Sequence, residues 1–162
     1  MTTSVLVMDS PVGPVRVAAD EEAITSVMFA DLDTAVTDPD AGVTPLLAEA
    51  RRQLRGYFSG DVRTFDLPLV SRGTVFQRRV WSELEKIPYG VTSSYGEIAG
   101  RLGLPMGASR AVGTANGANP IAIVVPCHRV IGANGKLVGY AAGLERKKFL
   151  LNLESAEAPL FS

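Results

Sequence analysis

The sequence predicts an α+β protein in which a small N-terminal α/β unit, residues 1–72, precedes a mostly helical unit, residues 73–162, with a helix-turn-helix. Three observations support this. Alternating apolar segments typical of strands are concentrated in the first half, while apolar residues at helical spacing dominate the second. Residues 1–70 carry 5 basic and 11 acidic residues, whereas residues 71–162 carry 11 and 6. A basic second half is typical of a surface that faces a polyanion, although ordinary variation in surface charge explains the asymmetry equally well.

Three strands begin the N-terminal unit. Ser4–Met8 and Val15–Val17 alternate apolar and polar residues on either side of a segment rich in turn formers, which predicts a hairpin. Ile24–Phe29 has the composition of a third strand. The acidic segment Leu32–Gly42 is expected to be a surface loop.

A helix and an edge strand complete this unit. Thr44 is the expected N-cap of the helix, with Pro45 at the first helical position. The alternating segment Phe65–Leu69 predicts an edge strand before a linker. The buried face of the helix is expected to consist of Leu46, Leu47, Ala50, Leu54 and Phe58.

Three helical patterns open the second unit. Thr74 caps the first helix, and Ser94 with Glu97 forms a capping box that starts a second, short helix ending at Leu102. The third helix spans Ala108–Ala118 and consists largely of small residues. The second and third helices flank a Gly/Pro turn, which is the pattern of a helix-turn-helix. The first helix is expected to bury Phe76, Val80, Leu84 and Ile87.

Two more elements follow. Ile121–Val125 is a short, wholly apolar run that predicts a buried strand. The last helix is expected over Leu144–Glu154, with an inward face formed by Leu144, Phe149, Leu150 and Leu153.

The counts of cysteine and histidine exclude several kinds of site. One Cys excludes an internal disulfide, and one Cys with one His excludes zinc fingers and iron–sulfur clusters. These counts do not exclude a carboxylate-based metal site, but no residues at metal-ligand spacing suggest one, and we expect no metal site and no cofactor. No apolar run approaches the roughly 18 residues of a transmembrane helix, and the N-terminus lacks the pattern of a signal peptide. These features predict a cytoplasmic protein with a free thiol and no membrane partner.

The strongest candidate for chemistry is the dipeptide Cys127-His128, which contains the only thiol and the only imidazole of the chain. A thiol with an ordinary pKa of about 8.5 is only slightly ionised at neutral pH, so a nucleophilic Cys needs a base or a nearby positive charge. His128 could supply the base and Arg129 the charge. Neighbours on an extended strand point to opposite faces, so a direct bond requires a turn or a bridging water. The alternative is a structural, buried Cys beside a surface His.

The segments around this pair resemble a known family. Pro126–Val130, preceded by Asn119–Ala122 and by the helix-turn-helix, closely resembles the active-site region of the O6-alkylguanine-DNA alkyltransferases. The resemblance covers residues 74–154 nearly without a break and is looser in the N-terminal half. The further motifs that carry it are Phe76–Trp81, Ile87–Gly90, Ser94–Ala99, Ser109–Gly113, Ala115-Asn116 and Gly132–Gly135.

The resemblance implies a ribonuclease-H-like N-terminal support domain and a winged helix-turn-helix domain that binds DNA and accepts the alkyl group. Cys127 would irreversibly take an alkyl group, chiefly methyl, from O6 of guanine (also O4 of thymine), once per molecule and without a cofactor. Glu154 would orient His128, which draws the proton of Cys127 through a water, while Asn119 braces the turn. The guanine pocket would be lined by Tyr140, Ala141, Ala142 and Val130.

The partner that the resemblance implies is double-stranded DNA carrying O6-alkylguanine, bound through the minor groove with the target nucleotide flipped out. Arg110 resembles the residue that fills the emptied base stack, and Tyr95, next to Ser94, resembles the residue that turns the phosphate. Small residues on the second helix would let it approach a groove only about 6 Å wide. The alternative is that this small face packs on a neighbouring helix. The face consists of Ala108, Ala111, Gly113, Ala115 and Gly117.

We expect a monomer without an obligate protein partner. A non-catalytic lesion sensor that binds alkylated DNA is the main alternative function, although sensors that resemble this sequence lack the reactive Cys. A helix-turn-helix regulator would carry long polar side chains on its second helix, and a Cys-dependent hydrolase would release its intermediate. In the pocket loop, Ala141 and Ala142 depart from the usual Ser or Gly followed by Gly. We expect Ala142 to narrow the pocket and to favour methyl over benzyl adducts.

Overall fold

The structure, a computed structural model, describes residues 3–37, 42–137 and 139–155. The chain divides into two compact units, Met1–Arg72 and Gly73–Ser162. The N-terminal unit is built on a sheet with one helix, and the C-terminal unit is mostly helical.

The N-terminal sheet has three antiparallel strands in the order β1-β2-β3. They are β1 (Ser4–Met8), β2 (Val15–Ala19) and β3 (Ile24–Phe29), so the three expected strands are confirmed. Pairing of Leu6 with Val17 sets the hairpin register. Both side chains have no exposed surface, because residues that alternate along a strand share one face and this face meets the core.

The helix α1 (Pro45–Phe58) packs on this sheet and begins as expected, with the Thr44 hydroxyl accepting a hydrogen bond from Leu47 N at 3.3 Å. Its buried face differs in part from the expected one. Leu46 and Phe58 are only half-buried, while Gln53 and Tyr57 are buried instead. A polar residue was not expected on that face.

The predicted edge strand over Phe65–Leu69 is wrong. Only an isolated parallel bridge joins Leu69 to Ile24. The reason lies at Asp66, whose backbone is bound by a side chain: Gln53 Oε1 accepts from Asp66 N at 2.8 Å, and Gln53 Nε2 donates to Asp66 O at 3.0 Å. An amide side chain thus replaces the neighbouring strand, and Pro68 has no N–H to contribute to a ladder.

The C-terminal unit contains α2 (Val75–Glu85), α3 (Tyr95–Arg101), α4 (Ser109–Gly117) and α5 (Leu144–Glu154). Two short strands, β4 (Ser93–Ser94) and β5 (Val130–Ile131), pair in parallel.

Thr74 and Ser94 cap their helices as expected, and of the predicted Ser94–Glu97 capping box the structure shows the bond from Glu97 N to the Ser94 hydroxyl, at 3.1 Å. Thr74 and Gln77 form a reciprocal capping box at the start of α2. On α2, Val80 and Leu84 are buried as expected and Ile87 is buried just beyond its end, but Phe76 is only half-buried. These contacts fix where α2 and α3 begin, whereas α4 begins after Ala108 without a side-chain cap.

The predicted strand over Ile121–Val125 is also wrong. The segment is a buried turn in which Val125 N donates to Ile121 O at 3.0 Å, and Ile123 has a positive φ of 71°. Its apolar composition correctly indicated burial, since Ile121, Ile123 and Val125 are almost inaccessible to solvent. Composition does not distinguish a buried strand from a buried turn.

The inward face of α5 is a third difference. Leu144 is 46 % exposed, and Phe149 and Leu153 are only half-buried. Of the four expected residues only Leu150 is buried. The buried face follows a regular helical spacing and includes two charged residues: Lys147, Leu150, Leu151 and Glu154.

Candidate active site

Cys127 lies in a short 3-10 turn, Cys127–Arg129, directly after the buried turn, and is only 6 % exposed. Its N–H donates to Val125 O at 2.8 Å. Burial raises the pKa of the Cys127 thiol, while hydrogen bonds from the Asn119 and Tyr140 side chains and the positive charge of Lys147 lower it. The thiol is therefore protonated at rest but surrounded by groups that stabilise its anion.

His128 is fully buried and forms a hydrogen bond with Glu154, with 2.7 Å between Nε2 and Oε2. Burial lowers the pKa of the imidazole, against the opposing effect of Glu154. Next to a carboxylate, Nε2 of the neutral ring carries the hydrogen, which we assign from the hydrogen-bond pattern. Nδ1 is then an acceptor, and it is buried without a hydrogen-bond partner among the described residues.

Arg129 also binds Glu154. Its Nε lies 2.7 Å from Oε1 and its Nη2 lies 3.0 Å from Oε2, while Nη1 donates to Ile87 O at 2.6 Å. The guanidinium lies over the Tyr89 ring, 5.8 Å from its centroid. The sequence suggested Arg129 as the positive charge beside Cys127, but this interpretation is wrong because the guanidinium is held by the carboxylate.

Glu154 consequently receives hydrogen bonds on both carboxylate oxygens. Burial alone would raise its pKa, but the bonds with His128 and Arg129 lower it to about 2. Glu154 is therefore ionised at any pH at which the protein would act. The structure brings Glu154 and His128 together across 26 positions of sequence.

Lys147 supplies the positive charge beside Cys127, a role that the sequence did not predict. The residue is fully buried on α5, and its Nζ donates to Gly139 O at 3.2 Å. Burial lowers the pKa of Lys147 to about 8, with the nearby Cys127 acting in the opposite direction. Lys147 lies seven positions before Glu154, so the same helix face carries both. That spacing was the available signal in the sequence.

Two asparagines hold the backbone around the nucleophile. Asn119 Nδ2 donates to Val125 O at 2.8 Å and to Ile121 O at 3.3 Å, and Asn119 Oδ1 accepts from Ile121 N. These bonds close the buried turn that leads into the nucleophile. Asn116, which the sequence placed in a family motif without assigning it a role, reaches from α4 and donates to Cys127 O at 3.3 Å.

The expected pocket residues differ in their surroundings. Tyr140 lies close to Cys127, and burial, followed by the effect of Cys127, raises its pKa well above 10. Ala141 is exposed and Ala142 is half-buried. Val130 lies in β5 and has no exposed surface. Three of the four residues thus lie in one loop beside the thiol, while Val130 is part of the core.

The residues expected to bind DNA lie on α3 and α4. Arg110 and Ala111 are exposed near the start of α4. Gly113 faces the Tyr95 ring, since a Cβ built on this glycine would lie 3.7 Å from two ring carbons. Burial, followed by the effect of Cys127, raises the pKa of Tyr95, so this ring lies near the nucleophile.

The small-residue face of α4 is divided. Gly117 is exposed, whereas Ala115 is buried and its carbonyl accepts a hydrogen bond from Trp81 Nε1 at 2.8 Å. The packing alternative therefore holds for Ala115, and the accessible part of the helix is the face that includes Arg110, Ala111 and Gly117. Ser94 caps α3 at the edge of this region.

In residues 3–37, 42–137 and 139–155, no three or more His, Cys, Asp or Glu side chains cluster in a way that could hold a metal ion. Across the same ranges, no helix has the length and hydropathy that a transmembrane span requires.

Comparison with known proteins identifies both units. Residues 75–156 match the family model described as 6-O-methylguanine DNA methyltransferase, DNA binding domain, and residues 5–70 match its ribonuclease-like domain. The chain is 53 % identical over 152 residues to the methylated-DNA–protein-cysteine methyltransferase of Methanosarcina acetivorans, covering 93 % of this chain and 97 % of the relative. The Mycobacterium tuberculosis protein of the same name is 50 % identical over 156 residues, covering 94 % and 92 %.

Solved structures agree. The crystal structure of Mycobacterium tuberculosis O6-methylguanine methyltransferase matches with a TM-score of 0.84 and 47 % identity, covering 99 % of this chain and 97 % of that one. The structure of Mycobacterium tuberculosis OGT in complex with DNA matches with a TM-score of 0.82 and 50 % identity, covering 95 % and 94 %. The predicted α+β fold class is confirmed, and the chain belongs to the 6-O-methylguanine DNA methyltransferase family.

Proposed function

We propose that this protein repairs DNA directly, by transferring an alkyl group from O6 of guanine to Cys127 in a single turnover. The observation that carries the proposal is the placement of the only thiol of the chain. Cys127 lies among Asn119, Tyr140 and Lys147, and its neighbour His128 is held by Glu154 at 2.7 Å. The names of relatives that are half identical over nearly the whole chain support the same activity.

The reaction needs a thiolate and a place for its proton. Because Nε2 of His128 is engaged by Glu154, Nδ1 is the basic nitrogen, and one water would carry the proton from Sγ to it. The sulfur then attacks the alkyl carbon, so that an S–C bond forms while the C–O6 bond breaks. The bonding electrons stay with guanine, which takes up one proton. Thiol and alkylguanine thus become thioether and guanine.

DNA binding is supported by relatives of this family, one of which is described in complex with DNA. In this chain the exposed side of α4 offers Arg110 next to Ala111 and Gly117, which suits a helix that enters a narrow groove. We infer that it enters the minor groove and that Arg110 replaces a guanine extruded toward Cys127. A flipped nucleotide is needed because O6 is otherwise held within the stacked duplex.

A single turnover follows from the residue inventory. A thioether is not cleaved by water, and the chain contains no second Cys that could accept the group. One protein molecule would therefore remove one lesion. We further propose that it acts as a monomer on double-stranded DNA.

Intact-mass spectrometry after incubation with a duplex containing O6-methylguanine tests the proposal. We expect a mass increase of about 14 Da, one methylene, located on Cys127 and absent in Cys127→Ser. Binding without a mass change would indicate a lesion sensor. Release of more than one equivalent of product per protein would indicate a hydrolase.

The size of the pocket requires a separate comparison. Ala142 is half-buried in the loop that follows Tyr140. If its methyl group narrows the pocket, free O6-benzylguanine should inactivate the protein slowly relative to methylated DNA, and Ala142→Gly should speed the benzyl reaction specifically. Equal benzyl rates in the two proteins would show that Ala142 does not limit the pocket.

A further inference from the structure

Arg129 makes three hydrogen bonds through its buried guanidinium, and two of them hold one carboxylate. Its guanidinium, on a residue that is 6 % exposed, binds both oxygens of Glu154 and also donates to Ile87 O. A planar guanidinium that matches a carboxylate with two parallel bonds fixes the orientation of that carboxylate. The orientation aims Glu154 Oε2 at His128 Nε2.

With a neutral ring and a protonated Cys127, the charged groups around His128 already carry a net charge of +1. Glu154 contributes one negative charge and Arg129 cancels it. The other charged groups that face the imidazole are Lys147 from α5 and, once ionised, Cys127 from its own turn. A proton that stayed on His128 would add a third positive charge to a buried cluster with a single carboxylate, and burial disfavours uncompensated charge.

We propose that Arg129 is a positioning residue for the transfer reaction: it fixes Glu154 against His128 and, by sharing that carboxylate, keeps His128 neutral and able to accept the proton of Cys127. This inference rests on the proposed function. A Glu154 that was not shared would stabilise the imidazolium more strongly and would leave His128 protonated before the reaction begins. His128 would then be a poor base.

The composition of the chain allows a direct test. Because His128 is the only histidine, protein labelled with 15N-histidine gives one set of ring signals without assignment. In the wild type, we expect the neutral ring with hydrogen on Nε2 and a titration midpoint below the ordinary value of about 6.5. In Arg129→Gln the midpoint should lie above 6.5, after a rise of about one to three pH units, because a carboxylate that Arg129 no longer shares stabilises the imidazolium more strongly.

Two further variants separate this role from a loss of folding. Arg129→Lys keeps a positive charge but cannot bind both oxygens, so we expect an intermediate midpoint. Arg79→Gln is the matched control, because Arg79 also donates to a backbone carbonyl, that of Leu102 at 3.1 Å, but is exposed. It should leave the midpoint unchanged. Fluorescence of Trp81, the only tryptophan, confirms that each variant is folded.

Kinetics give an independent readout. If Arg129→Lys raises the midpoint of His128, the variant should transfer methyl groups from DNA more slowly than the wild type, above all at acidic pH. We expect the ratio of wild-type to variant rates to be at least threefold larger at pH 6 than at pH 8. A purely structural role would lower both rates by the same factor. A wild-type midpoint at or above 6.5, or an unchanged midpoint in folded Arg129→Gln, would overturn the inference alone. Absence of transfer in the wild type would overturn the proposed function, and this role with it.

Discussion

Lys147 Nζ donates a hydrogen bond to the Gly139 carbonyl at 3.2 Å, which ties the buried face of α5 to the start of the loop that carries Tyr140. The same helix face ends at Glu154, the carboxylate behind His128. One helix therefore supplies both the positive charge beside the nucleophile and the negative charge behind the base. The position of α5 determines the electrostatics of the whole site.

Replacing Lys147 by Met should make Cys127 less reactive. The positive charge of Lys147 lowers the pKa of the thiol, so its removal should raise that pKa and reduce the thiolate fraction at neutral pH. Each unit of increase corresponds to about a tenfold slower reaction at pH 7. The pH dependence of alkylation by iodoacetamide measures this, and it reports on Cys127 alone because the chain has one Cys.

Lys148→Met is the matched control for this prediction. Lys148 is the next residue on α5, and its amine forms a 3.6 Å ion pair with the exposed Glu145. We expect its alkylation profile to overlap that of the wild type. An equal slowing in both variants would mean that the charge of Lys147 does not act on the thiol.

Acid should destabilise the C-terminal unit in two stages. The pKa of His128 is lowered in the native state, so below about pH 6.5 the unfolded chain gains a proton that the folded chain does not, and the free energy of unfolding falls. The pKa of Glu154 is lowered from 4.5 to about 2, so a second loss occurs as the pH falls through that range. Urea unfolding followed by Trp81 fluorescence at a series of pH values measures both stages.

Glu154→Gln should remove the second stage. The variant is expected to be less stable at pH 7, by about 3–5 kcal/mol, because it leaves the buried charge of Arg129 without its partner. Its curve should nevertheless be flatter than that of the wild type between pH 4.5 and 2. Glu145→Gln, an exposed position on the same helix, should keep the wild-type slope. A slope that persists in Glu154→Gln would assign the acid transition to another group.

Local signals in the sequence predicted most of the fold. Side chains at Thr44, Thr74 and Ser94 cap helices because each lies just before a segment of helical spacing, and the three N-terminal strands follow their alternation. The failures at Ile121–Val125 and Phe65–Leu69 share a cause. In each segment an amide side chain binds backbone groups that a strand would pair with its neighbour. Asn119 does this for Ile121–Val125, and the more distant Gln53 does it for Phe65–Leu69.

The sequence predicted some residues of the candidate site and not others. Cys127 and His128 are unique in the chain, so the sequence alone drew attention to them. Glu154 was found only through the family resemblance, because nothing local links it to His128. Lys147 was missed because a lysine in a helix is nearly always solvated, and only the burial of its helix face reveals its role.

Gln53→Ala should destabilise the N-terminal unit by about 1–3 kcal/mol, since it removes two hydrogen bonds that hold the backbone of Asp66. The neighbouring substitution Arg52→Ala is the control. It breaks an exposed ion pair with Glu49, which contributes less than about 1 kcal/mol. Calorimetric unfolding of both variants tests the difference, and similar losses at the two positions would contradict it.

Asn116→Leu should slow alkyl transfer without reducing stability. Asn116 is 4 % exposed, its Nδ2 donates to Cys127 O, and its Oδ1 has no partner among the described residues, an arrangement that costs about 1–3 kcal/mol. Leucine removes that cost, and Cys127 O still accepts a hydrogen bond from Val130 N. The backbone of the nucleophile becomes less constrained, so we expect transfer to be about tenfold slower at an equal or higher melting temperature.

Val112→Ala on the same buried side of α4 should show the reverse pattern, with lower stability and an unchanged rate of transfer. The cavity that it leaves should destabilise the protein by about 2 kcal/mol, while the contact between Asn116 and Cys127, and hence the rate per folded molecule, should be preserved. Measuring melting temperature and transfer rate for both variants separates packing of α4 from positioning of the thiol. If rate and stability fell together in both variants, Asn116 would be a packing residue only, because positioning predicts that the two quantities change independently.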